Sequence, residues 1–272
     1  MGKFDGVLVC TDLDGTLFRS DKTVSRENRE AIEYFKHEGG AFTFMTGRLP
    51  FYAESAYRAA APNVPYGCAN GGALYDGEAG RYVWRCELDR RALALVACVA
   101  EAFPEVGIQM SAFERAYFSR ENEVMYHFRR VTGLENLVCP YREVEEPLSK
   151  VLFGIKTEEE LLAVERTLRS HPLAEEFDFI RSETHLFEIL PKGVHKGLAL
   201  QKLAEHLGID PKMTVAIGDY DNDIGMFRTA HVGVAVANAC PAARAAADYV
   251  TVSNEESAIA RVIAELPRLL GL

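Results

Sequence analysis

At 272 residues the chain has room for one large domain or two ordinary ones, and a hydrophobic fraction of 48% is enough to build a packed core. With 40 acidic against 30 basic residues its formal charge is −10, which argues against nonspecific attraction to nucleic acid or to an anionic membrane. No apolar run approaches the roughly 20 residues of a membrane span. The six cysteines (Cys10, Cys68, Cys86, Cys98, Cys139 and Cys240) form no Cys-x-x-Cys pair, so reduced core thiols are expected. The N-terminus runs directly into a strand without signal-peptide architecture, and Gly6 stands where a myristoylation motif wants Ser or Thr. A soluble cytoplasmic protein follows as the expectation.

The first element in the chain is an apolar strand beginning at Val7, of the kind buried on both faces in a parallel sheet. It runs straight into Asp12 and Asp14, one residue apart, and a Gly15-Thr16 turn. Open α/β sheets bind ligands beyond the carboxyl ends of their strands, so both carboxylates fall where ligands bind. Two carboxylates in so small a space repel, which calls for a divalent cation or a proton. Taken alone, Asp-Leu-Asp-Gly reads equally well as a solvated turn.

Ser25 is positioned to cap a helix with apolar residues at Ala31, Ile32 and Phe35, ended by Gly39-Gly40. Ala41 to Met45 predicts a second strand finishing in Thr46-Gly47-Arg48. A helix around Tyr52 to Ala61 and a strand near Tyr66 to Ala69 lead to Asn70-Gly71-Gly72, and this alternation predicts a parallel sheet. Beyond about Arg81 the pattern changes. Helices are expected at Arg90 to Ala102, Asn122 to Arg130 and Glu158 to Arg169. Extended segments are expected at Ile108 to Met110, Ala116 to Ser119 and Lys150 to Ile155, with a hairpin from Phe177 to Leu190. Strands in pairs between helices indicate a separate α+β layer, placed at 85–188. A helix from His195 to Leu207 and strands at Thr214 to Ile217, Val232 to Val236 and Tyr249 to Val252 return to the alternation before a final amphipathic helix. The first domain, 1–84 and 189–272, is therefore interrupted by an insert.

The second acidic cluster runs from Gly218-Asp219-Tyr220 to Asp221-Asn222-Asp223 at another strand end. An EF-hand is excluded, because Ile224 and Ala230 stand where that loop needs Gly and Glu. If the two clusters face one crevice, Asp12, Asp14 and Asp219 supply the hard oxygen ligands that Mg²⁺ prefers. Phosphate chemistry accounts for the remaining pieces: the Thr46 hydroxyl and nearby N–H groups hold phosphoryl oxygens, and Lys196 balances negative charge. Singly, Thr46 reads as an ordinary strand end and Lys196 as a solvated helix start. An aspartate carboxylate is a known nucleophile for phosphorus.

Together these segments resemble the haloacid dehalogenase superfamily, and specifically its Cof-type phosphatases. The match rests on TDLDGTL at Asp12 and Asp14, on Thr46 in TGR, on Lys196 in HKG and on GDYDND from Gly218 to Asp223, in that order. The resemblance implies a Rossmann-like doubly wound parallel sheet core with an inserted α+β cap domain that sets substrate specificity. It implies Asp12 as nucleophile and Asp14 as general acid and base, with Thr46, Gly47, Arg48, Lys196 and Asn222 on the phosphate or substrate. Mg²⁺ would be held by Asp12, the Asp14 carbonyl and Asp219, supported by Asn222 and Asp223. The expected activity is hydrolysis of small phosphorylated metabolites, sugar phosphates first, by a monomer or weak homodimer without nucleic-acid or membrane partners. A phosphomutase sharing the aspartyl-phosphate and a noncatalytic phosphometabolite sensor are the alternatives. In the insert, Arg115, Tyr117, Arg181 and His185 are candidates for hydroxyl or anion contacts. Two positions depart from the pattern: His195 stands where relatives often have Ser or Thr, and Ser257-Ala258 replaces a common Gly-Val. His195 reads either as a substrate contact or as a satisfied histidine at the return to the core.

Overall fold

A computed structural model describes residues 2–272. The first stretch of chain forms β1 (Leu8–Thr11), α1 (Arg26–His37), β2 (Ala41–Phe44), α2 (Glu54–Ala60), β3 (Tyr66–Cys68), β4 (Ala73–Asp76) and β5 (Arg81–Arg85). The middle forms α3 (Ala92–Ala102), β6 (Gly107–Ala112), β7 (Ala116–Arg120), α4 (Glu123–Thr132), β8 (Leu137–Val138), β9 (Leu148–Gly154), α5 (Glu158–Arg169), β10 (Phe177–Glu183) and β11 (Leu186–Pro191). The last stretch forms α6 (Lys196–Leu207), β12 (Thr214–Gly218), α7 (Ile224–Thr229), β13 (Val232–Ala235), α8 (Pro241–Ala246), β14 (Tyr249–Val250) and α9 (Ala258–Leu270). The chain divides into two compact units: residues 2–48, 53–84 and 195–272 in the first, and 49–52 with 85–194 in the second. The return crossing falls at Val194, beyond Glu188, because β11 continues pairing with β10 to Pro191.

In the first unit β14, β13, β12, β1 and β2 lie in that order, with every paired neighbour parallel. All four residues of β1 are buried, as a strand covered on both faces requires. Helix α1 packs with α9, and α6 with α7. Ser25 caps α1 through its side chain, which accepts from the Asn28 N–H. Sequence alternation continues the parallel sheet into β3, but the structure turns the chain back there. β3 carries one parallel bridge to the β2 side, Met45 with Gly67, and then pairs antiparallel with β4 in a separate sheet ordered β3, β4, β5. The reversal occurs where Ala69, Asn70 and Gly71 all adopt positive φ. The β4–β5 hairpin was not anticipated, although Asp76-Gly77 between apolar runs is its signal.

The second unit is a six-stranded sheet ordered β10, β11, β9, β6, β7, β8. It is antiparallel except at the β7–β8 edge. Period-two alternation sends Met110, Val151, Phe153, Phe187 and Ile189 into an apolar core that includes residues of α3 and α5. On the opposite parity, Gln109, Ser111, Lys150 and Glu188 are polar and buried, and Lys150 Nζ donates to Glu188 Oε2 at 2.9 Å. None of the six thiols forms a disulfide; only Cys10 and Cys68 are fully buried and the other four are half-buried, so the core-thiol expectation holds for two. Among the described residues no helix is long and apolar enough to cross a membrane.

Ser257 explains one departure from the family pattern. Its φ of +62° lies in the left-handed region, where Gly is unstrained and a side chain costs roughly 1 kcal/mol. The hydroxyl offsets this by lying 2.9 Å from Ser25 Oγ and 3.3 Å from Glu27 Oε2, tying the start of α9 to the start of α1. Ser257→Ala keeps the strain and loses these contacts, so it should lower stability by about 1 kcal/mol. Ser257→Gly, which relieves the strain, should lose less. Urea midpoints for the two variants test the order; an alanine variant as stable as the glycine variant would show that φ carries no strain.

Candidate active site

Three strand ends build the site. β1 delivers Asp12 and Asp14, β2 is followed by Thr46, Gly47 and Arg48, and β12 is followed by Asp219; α6 opens with Lys196. Because β1 lies between β12 and β2 in parallel register, their carboxyl ends meet at one edge. Gly15, at φ +82°, turns the chain away from Asp12. A Cβ there would fall 2.6 Å from Asp219 Oδ2, so only glycine lets the two acidic segments approach this closely.

At the centre Lys196, 1% exposed, donates to Asp12 Oδ1 at 2.5 Å and to Asp223 Oδ1 at 2.6 Å. Burial works against its charge, but the two carboxylates outweigh that and hold the ammonium above the usual lysine range. For Asp12, burial is the largest influence and drives the carboxyl up; Lys196 opposes it, while Asp223 and Asp219 add to the rise. Asp219 is pushed up to about 6, first by burial and then by Asp223, against the hydrogen bond from Thr16 Oγ1 at 2.9 Å. One carboxylate oxygen from each of Asp12, Asp219 and Asp223 lies within 4.8 Å of the others. Three carboxylates thus face a single ammonium, a deficit of positive charge that a hard, oxygen-preferring divalent cation would redress. Asp223 is less available to it, because Oδ1 meets Lys196 and Oδ2 accepts the Asp219 and Tyr220 N–H groups at 2.8 and 3.0 Å.

Asp14 stands apart from this group. Its Oδ2 accepts from Arg48 at 2.7 Å and its Oδ1 from Lys22 at 2.8 Å. Burial alone would raise the carboxyl; the two cations prevail and hold it below the usual range. Arg48, expected on the phosphate, meets Asp14 here, and Lys22 is a neighbour of Asp14 that sequence reasoning missed, since nothing in its spacing marks it. Thr46 is buried, its Oγ1 accepting the Arg48 N–H at 3.2 Å. Asn222 donates to Asn70 Oδ1 at 3.1 Å, and Asn70 in turn lies beside Gly47. His195 is the N-cap of α6: Nδ1 accepts the Leu198 N–H at 3.3 Å, the role Ser or Thr performs at such positions.

The candidates in the insert are engaged within the second unit. Arg115 and Tyr117 meet Glu146, Arg181 forms a fork on Glu158 and also donates to the Thr184 carbonyl, and His185 Nδ1 lies 3.0 Å from the Ile155 carbonyl.

By architecture this is a parallel α/β protein interrupted by an α+β unit, with carboxylates and a buried ammonium at the carboxyl edge of its sheet. Residues 9–263 match the model of the haloacid dehalogenase-like hydrolases. The chain is 30% identical to the 5-amino-6-(5-phospho-D-ribitylamino)uracil phosphatase YitU of Bacillus subtilis, over 95% of this chain and 96% of that one. It is 28% identical to the phosphatase YwpJ of the same organism, over 95% and 99%. A solved haloacid dehalogenase-like hydrolase from B. subtilis superposes with a TM-score of 0.82 at 25% identity, covering 95% of this chain and 99% of that one. The chain belongs to the haloacid dehalogenase-like hydrolases, on their Cof-type phosphatase branch.

The raised Asp219 carboxyl makes a pH prediction for cation-free protein. Its unfolded value is about 4, so between about pH 4 and about pH 6 the folded chain holds the extra proton. Asp219 therefore contributes stability below that window and loses it as pH rises through it. The stability difference between wild type and Asp219→Asn in chelator should shift in favour of the variant across that range. A carbon-13 titration of Asp219 with a midpoint at or below about 4 would refute it.

Proposed function

We propose that the protein is a magnesium-dependent phosphomonoester hydrolase working through an aspartyl-phosphate on Asp12, with small phosphorylated metabolites as substrates. The observation that carries this reading is the buried Asp12–Lys196–Asp223 triad with Asp219 beside it at the carboxyl edge of the sheet. Asp12 and Asp219, with the Asp14 backbone carbonyl, would hold the cation, whose donor set here is all hard oxygen. When bound, the ion supplies positive charge against the phosphoryl oxygens.

In the forward step an Asp12 oxygen attacks phosphorus, the ester P–O bond breaks, and the departing oxygen takes a proton from Asp14. Lys196 holds Asp12 in place and offsets charge on the phosphoryl group, and the Thr46 hydroxyl and Gly47 backbone hold its oxygens. In the second step water attacks the phosphorus of the aspartyl-phosphate, gives its proton to Asp14, and releases phosphate and the Asp12 carboxylate. Arg48 and Lys22 hold Asp14 ionised, the form that accepts the proton from water. Protonating the leaving group then calls for that clamp to loosen. Asn222 and Asp223 support the site, Asp223 by anchoring Lys196.

The motif residues recognise phosphate and metal, so we assign recognition of the leaving group to the inserted unit. The relative YitU is named for a phosphorylated ribityl compound, which supports polyhydroxylated leaving groups such as sugar and polyol phosphates.

Asp12→Asn should remove turnover while leaving the fold intact, since an amide of the same shape lacks the nucleophilic charge. Phosphate release near the wild-type rate by a folded variant would sink the mechanism. Chelation with EDTA should inactivate and Mg²⁺ should restore activity; full activity in chelator would remove Asp219 from its role. A panel of sugar and polyol phosphates distinguishes hydrolysis, which frees phosphate, from mutase chemistry, which returns an isomerised ester.

A further inference from the structure

The Asn70-Gly71-Gly72 turn is a sequence feature that the proposed chemistry leaves unused, and the chain enters it through two successive non-glycine residues at positive φ. Ala69, Asn70 and Gly71 follow one another at φ +51°, +55° and +96°. Two successive non-glycine residues in the left-handed region cost free energy that the surroundings must offset. Asparagine tolerates that conformation better than most residues, but the local cost remains.

What the strain achieves is contact with three separate motif segments. The Ala69 and Asn70 N–H groups donate to the Arg48 and Thr46 carbonyls at 2.9 and 3.0 Å, so the turn holds the backbone on both sides of Gly47. The Asn70 side chain is so close to Gly47 that a Cβ there would lie 3.1 Å from both its Nδ2 and its Oδ1. Its Oδ1 accepts from Asn222 Nδ2 at 3.1 Å, reaching the loop after β12. Gly71 lies against the start of α6, where a Cβ would fall 2.1 Å from the His195 carbonyl oxygen and 2.7 Å from the Lys196 nitrogen. Asn70 is itself 1% exposed.

We infer that Asn70 is a positioning residue for the phosphoryl site, an inference that rests on the phosphatase reading above. Its backbone N–H sets the Thr46–Gly47 loop. Its side-chain carbonyl fixes the Asn222 amide, so that Asn222 turns its nitrogen toward Asn70 and keeps its oxygen for other partners. The turn alone does not need the side chain, because glycine adopts positive φ without cost. That separates positioning from mere folding.

The test compares Asn70→Gly and Asn70→Asp with wild type on para-nitrophenyl phosphate and a pentitol phosphate, together with competitive inhibition by inorganic phosphate. Asn70→Gly preserves the turn and removes the amide. Asn70→Asp preserves shape and the acceptor for Asn222, but lacks the amide N–H₂ and adds a negative charge beside Gly47. Both should lower kcat/KM at least about ten-fold, as misplacement of a bound group does, and should weaken phosphate inhibition. Thermal midpoint in Asn70→Gly should stay near wild type. A folded Asn70→Gly protein with wild-type kcat/KM and phosphate inhibition would overturn the inference, leaving Asn70 as a turn residue. If Asn70→Gly folds poorly, Asn70→Ala, which removes the amide without adding charge, carries the same decision. Failure of the wild-type protein to hydrolyse any phosphomonoester would instead refute the underlying activity, and phosphate affinity would still decide the role of Asn70.

Discussion

The site depends on one buried ammonium. Lys196, removed from water, is stable there only because Asp12 and Asp223 face it at 2.5 and 2.6 Å, and neither carboxylate is stable there without it. Removing the ammonium would leave two buried carboxylates uncompensated, typically a loss of several kcal/mol. The constraint propagates outward. Asp223 is held by the Asp219 and Tyr220 N–H groups, which shape the loop after β12. Lys196 is held by α6, whose first turn is capped by His195. Parallel pairing of β1 with β12 brings these pieces into register.

A second charge system lies next to the first and is kept separate from it. Asp14 is only two residues from Asp12, yet its carboxylate belongs with Arg48 and Lys22 and its proton affinity is driven down, while Asp12 is driven up. Two like residues with opposed environments are the arrangement that permits distinct roles for them. The cause is local: Asp12 is buried beside Lys196, whereas Asp14 is more exposed, where a lysine and an arginine reach it.

The second unit also buries charge, in an ion pair. Alternation puts aliphatic and aromatic residues on one face of its sheet, and the other face carries the Lys150–Glu188 pair at about 2% exposure for each residue. Such a pair is weak evidence for stability, because well-packed apolar residues often serve as well. Arg181 meets Glu158, and Arg115 and Tyr117 meet Glu146, so these polar candidates of the insert each have a carboxylate partner within it. Long polar side chains find one another first.

By itself the sequence determined the parallel sheet, the interruption by an α+β segment and the family, because these rest on local signals: apolar runs ending in Asp-x-Asp-Gly, Thr-Gly-Arg and Gly-Asp, and helical periodicity between them. It also marked Asp12, Asp14 and Asp219 as candidate oxygen ligands and Lys196 as a balancing charge, with Asp223 in support. Only the tertiary structure decided how they pair. The choice of Asp223 rather than Asp219 as the second partner of Lys196, the diversion of Arg48 to Asp14, the arrival of Lys22, and the reversal of β3 into a separate sheet all depend on contacts between segments far apart in the chain. Charge and hydrogen-bonding capacity are legible residue by residue, whereas which donor meets which acceptor is set by distances of a few ångström that only packing establishes.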